Sequence, residues 1–275
     1  MAYTTINKST EFFNTVTYTG TAGGQTITGV GHQPDFIWIK QTGDAGYSSS
    51  LHNSASGLLK QLISDANNAQ ITNTDTVTSA NADGFVLGAD TAGPNANSNN
   101  QDGKNYIAWN WKGGTTSGIS TDGNSTITPS AYSFNQTSGF SVVTYTGNGT
   151  SGAGVAHGLG KKPQFYMVKR TDSSSNWQVF WQPKINTSNA TKYLFLNTSD
   201  TEGTNNNRWN GYQPDTYNFY LGNSTEVNAN GGTYVAYVFA NIPGFSRLGG
   251  YTGNGASGSN PNVVQSPFVY TGFKP

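Results

Sequence analysis

One stretch of the sequence combines the side-chain types that recognise sugars. It interleaves aromatic rings with amides and one guanidinium group, and its candidate ligand-binding residues are Asn206, Asn207, Arg208, Trp209 and Tyr212. The flat apolar faces of Trp and Tyr can stack on pyranose rings, while amides and guanidinium groups hydrogen-bond to hydroxyls. The stretch therefore predicts a glycan-binding surface with Trp209 and Tyr212 as stacking platforms. The competing interpretation is that Trp209 anchors its loop to the core or to a subunit interface, a frequent use of tryptophan.

Acidic residues offer the alternative of catalysis on a polysaccharide. A glycoside hydrolase needs two carboxyl groups that flank the scissile bond, and the candidates are Asp200, Glu202, Asp215 and Glu226. All four lie among Thr, Asn and Gly, a composition typical of solvated loops. No Gly-x-Ser-x-Gly motif presents a nucleophilic serine. We therefore predict no catalytic residues and expect that the protein is not an enzyme.

Metal and cofactor sites have few residues to draw on. The chain has no cysteine, 3 histidines and 14 acidic residues. His32 and His157 each lie next to a glycine, at different positions of the repeat described below, which predicts exposed loop side chains rather than convergent metal ligands. The glycine-rich residues 147–152 are predicted to form a hairpin turn, because a phosphate cradle requires a helix after it. We expect neither a metal nor a cofactor.

The elements that position these residues are predicted to be β-strands. Hydrophobic residues make up 34% of the chain and charged residues 10%, but 13% are aromatic, and aromatic side chains can build a core by themselves. The formal net charge is +0, so no basic surface is expected to bind nucleic acid. No apolar run reaches membrane-spanning length and the first residues do not resemble a signal peptide. We therefore expect a soluble protein that is made in a cytoplasm and does not insert into a membrane.

A tandem repeat organises the chain. Thr17 and Thr144 are 127 residues apart, Pro34 and Pro163 are 129 apart, and the anchors around them keep the same order in both halves. The matched segments are residues 17–20 with 144–147, 31–40 with 160–169, 60–63 with 192–195, 84–88 with 218–222, and 106–111 with 234–239. Each copy spans about 100 residues, the size of a small antiparallel β-sandwich.

The matched segments show the periodicity of strands. Ile107, Trp109 and Trp111 alternate with smaller or polar residues, which predicts a half-buried strand with the large apolar groups on its buried side. Residues 36–39 form a continuous apolar run, which predicts a strand covered on both faces. Residues 58–63 have helical spacing when taken alone, but their partner in the second copy has the pattern of a strand. We follow the repeat and predict a strand there.

These patterns divide the chain into five segments. We predict an N-terminal arm (1–12), a first β-sandwich (13–114), a linker rich in Gly, Ser and Thr (115–139) with one short strand at 125–128, a second β-sandwich (140–242) and a truncated third repeat (243–275). In the third repeat, residues 268–271 are apolar but lack the strand that would complete their own unit. We expect this segment to add to a sheet edge, either of the second sandwich or of a neighbouring subunit.

The combination of several motifs resembles a known family. The segments that carry the resemblance are 3–6 with 12–13, Val-Thr-Tyr-Thr-Gly-Asn-Gly-Thr at 143–150, Val-Lys-Arg-Thr at 168–171, Tyr-Val-Ala-Tyr at 234–237, and Phe-Val-Tyr-Thr-Gly-Phe-Lys-Pro at 268–275. They are similar to tandem-repeat virion structural or tail-fibre proteins of marine bacteriophages, of the kind that infect cyanobacteria and abundant marine heterotrophs. The resemblance covers almost the whole chain. It implies lectin-like or jelly-roll-like sandwiches and no established catalytic residues.

The function implied by the resemblance is structural. We expect a non-enzymatic protein on the virion exterior, most simply a tail-fibre or appendage component that contacts host-surface polysaccharide. Its partners would be other virion proteins and further copies of itself, with a trimer as one option. A capsid decoration protein and a polysaccharide-degrading tailspike are the two alternatives.

Overall fold

The computed structural model describes residues 4–43, 46–91, 98–182, 190–254 and 268–273. The first half of the described chain, called unit 1 below, contains nine strands. They are β1 (Phe13–Thr19), β2 (Gln25–Ile27), β3 (Phe36–Thr42), β4 (Ser50–Asn53), β5 (Lys60–Ile63), β6 (Ile71–Thr72), β7 (Val77–Asn81), β8 (Gly84–Leu87) and β9 (Asn105–Trp111). A large sheet has the order β1-β9-β3-β4-β5-β6, and a small sheet has the order β2-β8-β7. The expectation of a strand within residues 58–63 is confirmed by β5.

The second half, unit 2, repeats this arrangement. Its strands are β10 (Ala131–Asn135), β11 (Phe140–Thr146), β12 (Ala153–Ala156), β13 (Phe165–Arg170), β14 (Gln178–Trp181), β15 (Lys192–Phe195), β16 (Gly203–Thr204), β17 (Asn218–Leu221) and β18 (Thr233–Phe239). One-turn helices α1 (Asn206–Trp209) and α2 (Thr225–Asn228) flank β17. The large sheet has the order β10-β11-β18-β13-β14-β15-β16, and β12 pairs with β17 in a small sheet.

Each unit buries an apolar core against the inner face of its large sheet. In unit 1 that core contains Ile37 and Ile39 of β3 with Phe85 of β8, and in unit 2 it contains Tyr166 of β13 with Phe219 of β17. All pairings between the named strands are antiparallel (register pairs such as Thr17 with Ile107). The predicted all-β class with tandem antiparallel sandwiches is therefore confirmed. Within the described residues, no helix has the length and apolar character needed to cross a membrane.

The two units share individual contacts as well as strand order. Tyr18 and Tyr106 stack with ring centroids 5.0 Å apart and planes at 12°. Tyr145 and Tyr234, at the equivalent positions of unit 2, stack at 5.1 Å and 15°. Each pair closes the end of its sandwich, because the hydroxyl of the first tyrosine donates to a backbone carbonyl across the core. The two copies of the sequence repeat therefore share side-chain contacts as well as strand order.

A buried asparagine ties three loops together in each unit. Asn228 donates to the carbonyl oxygens of Gly222 and Thr150, both at 2.9 Å, and accepts from the backbone N–H of Asn148 at 2.9 Å. Asn100 makes the equivalent set of bonds in unit 1, and both side chains are fully buried. Because loop backbone groups away from water must find partners, these amides replace the ladder bonds that strands would supply. Sequence patterns did not single out either residue.

The units meet through the outer faces of their large sheets. The ring of Phe36 lies 4.3 Å from that of Tyr237, and Trp111 packs edge-on against Phe239 at 6.1 Å. This inter-unit interface is a continuous apolar cluster whose members include Leu51, Leu62, Phe140, Val142, Met167, Trp177, Val179 and Val235.

The predicted orientation of β9 is wrong, because the side that carries its large apolar residues faces this interface and not the core of unit 1. The side of β9 that faces the unit 1 core carries Tyr106 and Ala108, whereas Trp111 on the opposite side packs against unit 2.

Polar groups also cross the inter-unit interface. Trp177 Nε1 donates to the carbonyl oxygen of Ile63 at 2.8 Å, and Asn53 Nδ2 donates to the hydroxyl of Tyr237 at 2.9 Å. Burial raises the pKa of the Tyr237 hydroxyl. Since these donors are buried, each would cost free energy if it lost its partner. The bonds fix the alignment of the two sheets as well as their contact.

Lys169 is a fully buried cation at this interface. Its Nζ donates to the carbonyl oxygens of Arg170 at 2.8 Å and of Asn67 in unit 1 at 3.3 Å. Burial, followed by the nearby charge of Arg170, lowers the pKa of Lys169 to about 8, and Asp172 opposes this only in part. The folded state therefore binds fewer protons than the unfolded state between pH 8 and the ordinary lysine pKa of 10.5.

We expect the unmodified chain to gain free energy of unfolding relative to the Lys169→Met protein as the pH rises from about 8 towards 10, because only the unmodified chain carries this linked proton. The matched control is Lys40→Met, because Lys40 occupies the equivalent position of unit 1 and is only half-buried. Urea unfolding midpoints at several pH values measure the effect. A rise of the same slope in the Lys169→Met protein would contradict the assignment.

Residues 115–139 are not a linker, and that prediction is wrong. Residues 131–135 form β10, which pairs with β11 along its whole length. The expected strand at 125–128 is reduced to one isolated bridge between Ile127 and Val155, and Ile127 is buried in the unit 2 core together with Phe134. Because the segment is rich in Gly and Ser, its sequence did not indicate that these two apolar residues are buried. The segment belongs to unit 2.

The C-terminal segment does not extend a sheet in the described residues. Phe268 is 89% exposed and Tyr270 is 71% exposed, and residues 268–273 form no strand. They lie beside residues 244–251, where the third repeat was predicted to begin, and those residues form no named strand either. The prediction that the segment adds to an edge of unit 2 is therefore wrong for the residues described.

Candidate functional site

The predicted ligand-binding residues lie on and directly after α1. The helix begins after Asn205, whose side-chain oxygen accepts from the backbone N–H of Asn207 at 2.9 Å, as an N-cap residue does. It ends at Asn210, which adopts the left-handed conformation at φ +54°. With only one turn of helix, neighbouring side chains must point in different directions. Asn206 and Asn207 face solvent, while the next two residues turn inward.

Trp209 is a core residue, so its predicted role as a stacking platform is wrong. Its side chain is fully buried, and its indole lies edge-on to Tyr166 at 5.0 Å and to Phe180 at 6.0 Å. Its Nε1 donates to the carbonyl oxygen of Lys192 at 3.0 Å. The competing interpretation, that Trp209 anchors its loop to the core, is the one the structure shows. The residue 132 positions earlier, Val77, is also fully buried in the core of unit 1.

Arg208 is committed to internal contacts rather than presented to solvent. Only 7% of the residue is exposed, and its guanidinium binds both carboxylate oxygens of Glu226, with Nη2 to Oε1 at 2.8 Å. It also donates to the hydroxyl of Ser224 and lies over the ring of Tyr193, 4.9 Å from its centroid. A bidentate arginine–carboxylate pair satisfies most of the fork geometry of the guanidinium. Arg208 is therefore not presented to solvent, and its predicted ligand role stays a prediction.

Tyr212 is the predicted aromatic site residue that remains at the surface, together with the exposed amides Asn206 and Asn207. It is 52% exposed, and its ring lies edge-on to that of Tyr220 at 5.6 Å, which holds it at the surface. Tyr217 is also exposed, at 41%, in the loop that follows. The structure thus shows exposed aromatic rings at one end of unit 2. We call Tyr212, Tyr217 and Tyr220 the tyrosine cluster because they are close in sequence. A ring contact joins Tyr212 and Tyr220, whereas Tyr217 lines a separate recess with Gln136 and Gly158.

Asp215 organises the loop that carries the tyrosine cluster. Its Oδ1 accepts from the backbone N–H groups of Tyr217 and Asn218, both at 2.7 Å, and its Oδ2 accepts from the hydroxyl of Tyr220. Burial and then this hydrogen bond raise the pKa of Tyr220 well above its usual value. Asp215 is therefore a structural acceptor that fixes the Tyr220 ring through its hydroxyl and the loop backbone at Tyr217 and Asn218.

A second carboxylate, Asp122, closes the same network. Asn218 Nδ2 donates to Asp122 Oδ1 at 2.7 Å, and Ser125 donates to Asn218 Oδ1 at 2.7 Å. The hydrogen bond from Asn218 lowers the pKa of Asp122 below its usual value. The ionised form of Asp122 is thus stabilised by local donors, whereas the general acid of a glycosidase needs a raised pKa. The network holds a loop and does not resemble a catalytic pair.

The other candidate carboxylates are also engaged. Glu202 forms an ion pair with Lys192 at 3.3 Å, and Asp200 accepts from the hydroxyl of Thr198 at 2.9 Å. Glu226 pairs with Arg208, so each of the four candidate carboxylates has a different set of partners. Within the described residues, no group of three or more His, Asp or Glu side chains is placed to hold a metal ion.

The prediction that His32 and His157 are exposed is wrong. Both are buried, and His52 is fully buried as well. Burial lowers the pKa of His52 and of His157 to about 4, so both rings are neutral near pH 7. The ring of His157 accepts from the backbone N–H of Leu159 at 3.1 Å and contacts the carbonyl oxygen of Asp215 at 3.2 Å. It supports the loop of the tyrosine cluster from beneath.

Sequence patterns missed Tyr217 and Tyr220 as site residues. A usable signal was the sequence Asp215-Thr-Tyr-Asn, because an aspartate that accepts from the backbone two and three residues later makes a tight turn. The residues inside such a turn, here including Tyr217, are commonly at the surface. Alternation along β17 then places Tyr220 outward, since Phe219 and Leu221 face the core.

Comparison with protein families gives one match, which covers residues 8–275 and is described as a domain of unknown function, DUF7483. The chain belongs to the DUF7483 family. The DUF7483 match extends over both units. No curated protein and no solved structure matches the chain.

Proposed function

We propose that this DUF7483 protein is a non-enzymatic surface component of a bacteriophage particle, a tail-fibre or similar appendage protein on the virion exterior that contacts host-surface polysaccharide. The observation that supports the binding role is the exposure of Tyr212 and Tyr217, on a loop whose backbone Asp215 holds and beside Tyr220, whose hydroxyl bonds to Asp215. The location on a virion is supported by the resemblance of the sequence motifs to phage structural proteins. It would need other virion proteins as partners.

The surroundings of the cluster favour binding of a neutral sugar over binding of an anion or over catalysis. Arg208 has its charge balanced by Glu226 and lies away from solvent. The polar groups close to the rings are amides, hydroxyls and the Asp215 carboxylate, which would repel an anion; the amides include Asn210, which accepts from the hydroxyl of Ser151. Tyrosine and amide side chains supply contact area and adaptable hydrogen bonds at low entropic cost.

Removing an exposed ring of the cluster is expected to weaken polysaccharide binding about tenfold, the effect of losing one stacking contact. The variants are Tyr212→Ala and Tyr217→Ala. The probe is a set of purified bacterial surface polysaccharides immobilised on an array, read with the full chain in solution. Tyr251→Ala is the matched control, because Tyr251 is 68% exposed but lies outside the cluster.

The outcomes separate the alternatives. Loss of signal in both cluster variants with a normal signal for Tyr251→Ala supports the proposal. Equal binding by all four proteins, or no binding by the unmodified chain, contradicts the glycan role and favours the alternative of a capsid decoration protein. The appearance of new reducing ends on any polysaccharide would show a tailspike activity and contradict the non-enzymatic assignment. Antibody labelling of intact particles tests the exterior location.

A further inference from the structure

One edge of the large sheet of unit 1 differs from its counterpart in unit 2. Among the described residues, β1 pairs only with β9. The equivalent strand of unit 2, β11, pairs with β18 on one side and with β10 on the other. The repeat therefore shows that this position of the sheet accepts a further antiparallel strand.

The segment that would fill this edge by analogy lies elsewhere. Residues 4–7 precede β1 as β10 precedes β11, but they form no strand. Ile6 is buried, and Thr4 and Thr5 face Gln136 and Thr137 in the turn of unit 2 that joins β10 to β11. The described part of the N-terminal arm thus runs along unit 2 and leaves the edge of β1 uncovered.

The edge of β1 presents unpaired backbone groups. The N–H of Lys112 donates to Phe12 O, and the N–H of Gly20 donates to Lys104 O, so the even-numbered residues of β1 bond to β9. Because hydrogen-bonded positions alternate along an antiparallel pair, the odd-numbered residues 13, 15, 17 and 19 point their N–H and C=O groups outward. Side chains reach two of these groups: Asn14 Oδ1 accepts from the N–H of Thr15, and Gln25 donates to the C=O of Thr19.

In the part of the chain that the structure describes, none of the usual protections of an edge strand is found on β1. Its sequence, Phe-Asn-Thr-Val-Thr-Tyr-Thr, has no charge and no proline, and its seven residues keep continuous register with β9. The other outer strands of the two large sheets are blunted. β6 and β16 have two residues each, and the outer side of β10 is covered by a bridge from Thr115 to Phe134.

We propose that β1 pairs antiparallel with β1 of a second copy of this chain, around a two-fold axis at Val16. In this register residues 13, 15, 17 and 19 face residues 19, 17, 15 and 13 of the other copy. The outward-pointing backbone groups then form hydrogen-bonded pairs between the two copies, with the bonds from Asn14 to Thr15 N–H and from Gln25 to Thr19 C=O exchanged for bonds across the pair. The two large sheets join into one. The glycan proposal is independent of this inference, since the tyrosine cluster lies in unit 2.

The side chains of β1 fit this pairing with itself. Val16 and Tyr18 pack against the unit 1 core, so the strand from the second copy would extend that inner face with Val16 beside Val16 and Tyr18 beside Asn14. On the opposite face, exposed Thr15 meets Thr17. Pairs of β-branched residues stabilise neighbouring strands, and like charges directly opposite destabilise them. The edge carries no charge that would repel a second copy.

Charge placement at the two exposed threonines tests the register. The double variant Thr15→Lys/Thr17→Lys places lysines opposite each other in both cross-strand pairs and is expected to weaken self-association about tenfold or more. The double variant Thr15→Lys/Thr17→Glu places opposite charges in the same pairs and is expected to keep the dimer. Thr116→Lys/Thr121→Lys is the matched control, because both residues are exposed and lie outside the strands.

Sedimentation equilibrium over a wide concentration range, with circular dichroism to verify folding, gives the readout. The expected mass of the unmodified chain is twice 29.2 kDa, with a monomer only for the double lysine variant. A monomeric unmodified chain, or a trimer, overturns the proposal. Unchanged association of the double lysine variant also overturns it, since the contact would then lie elsewhere. Equal weakening by the lysine–glutamate variant rejects the two-fold register.

Discussion

Replacing Trp209 with alanine is expected to lower the free energy of unfolding by about 3–5 kcal/mol, the usual cost of truncating a buried large aromatic side chain. The indole fills the space between Tyr166 and Phe180 and satisfies the carbonyl oxygen of Lys192. A cavity and an unpaired acceptor would both remain after truncation. Urea unfolding followed by circular dichroism measures the change.

Tyr212→Ala is the control for this experiment, because it removes an aromatic ring three residues away that is half exposed. We expect it to lower stability by less than about 1 kcal/mol. Equal destabilisation by the two variants would contradict the placement of Trp209 in the core and of Tyr212 at the surface. Trp209→Phe should be intermediate, since a phenyl ring keeps part of the packing but not the indole donor.

The second large effect is expected at the buried asparagine of unit 2. Asn228→Asp keeps the shape of the side chain but replaces its two-hydrogen donor with an acceptor that faces the carbonyl oxygens of Gly222 and Thr150. Unpaired buried carbonyls cost about 1–3 kcal/mol each, and a buried carboxylate beside them adds a desolvation cost. We expect a loss of about 3 kcal/mol or more at neutral pH, with partial recovery as the pH falls and the carboxyl protonates.

Two comparisons make the Asn228 result specific. Asn100→Asp should have a similar effect in unit 1, because Asn100 donates to Gly88 in the equivalent geometry. Asn206→Asp changes an exposed asparagine at the start of α1 and is expected to leave stability within about 0.5 kcal/mol. If Asn228→Asp were as stable as Asn206→Asp at neutral pH, the amide would not be tying the loops together.

The fold class could be predicted from the repeat because aromatic strands leave a strong local pattern. Residues 36–39 illustrate this: the prediction of a strand covered on both faces is confirmed, with Phe36 in the inter-unit interface and Ile37 and Ile39 in the core. Periodicity also grouped Ile107, Trp109 and Trp111 on one side of β9. It could not tell which side faced the core, because a period of two is the same for a sandwich core and for a sheet-to-sheet interface.

The site was predictable only in part, because local sequence carries little information on burial in loops. Trp209 and Arg208 have the composition of a sugar site, but tertiary contacts turned both inward. The repeat held the missing clue, since Val77 occupies the core position that Trp209 fills in unit 2. Tyr212 stayed at the surface because the left-handed turn at Asn210 reverses the chain before it.

Facing aromatic sheets also impose an order of events during synthesis. The last strand of unit 1 ends at Trp111, and its partner ring on Phe239 is added 128 residues later, on the order of ten seconds at typical ribosome speeds. Through that interval the first sandwich carries a bare apolar face beside the tunnel exit. The nascent chain is then most prone to aggregate, or to recruit a chaperone, until translation delivers its second half.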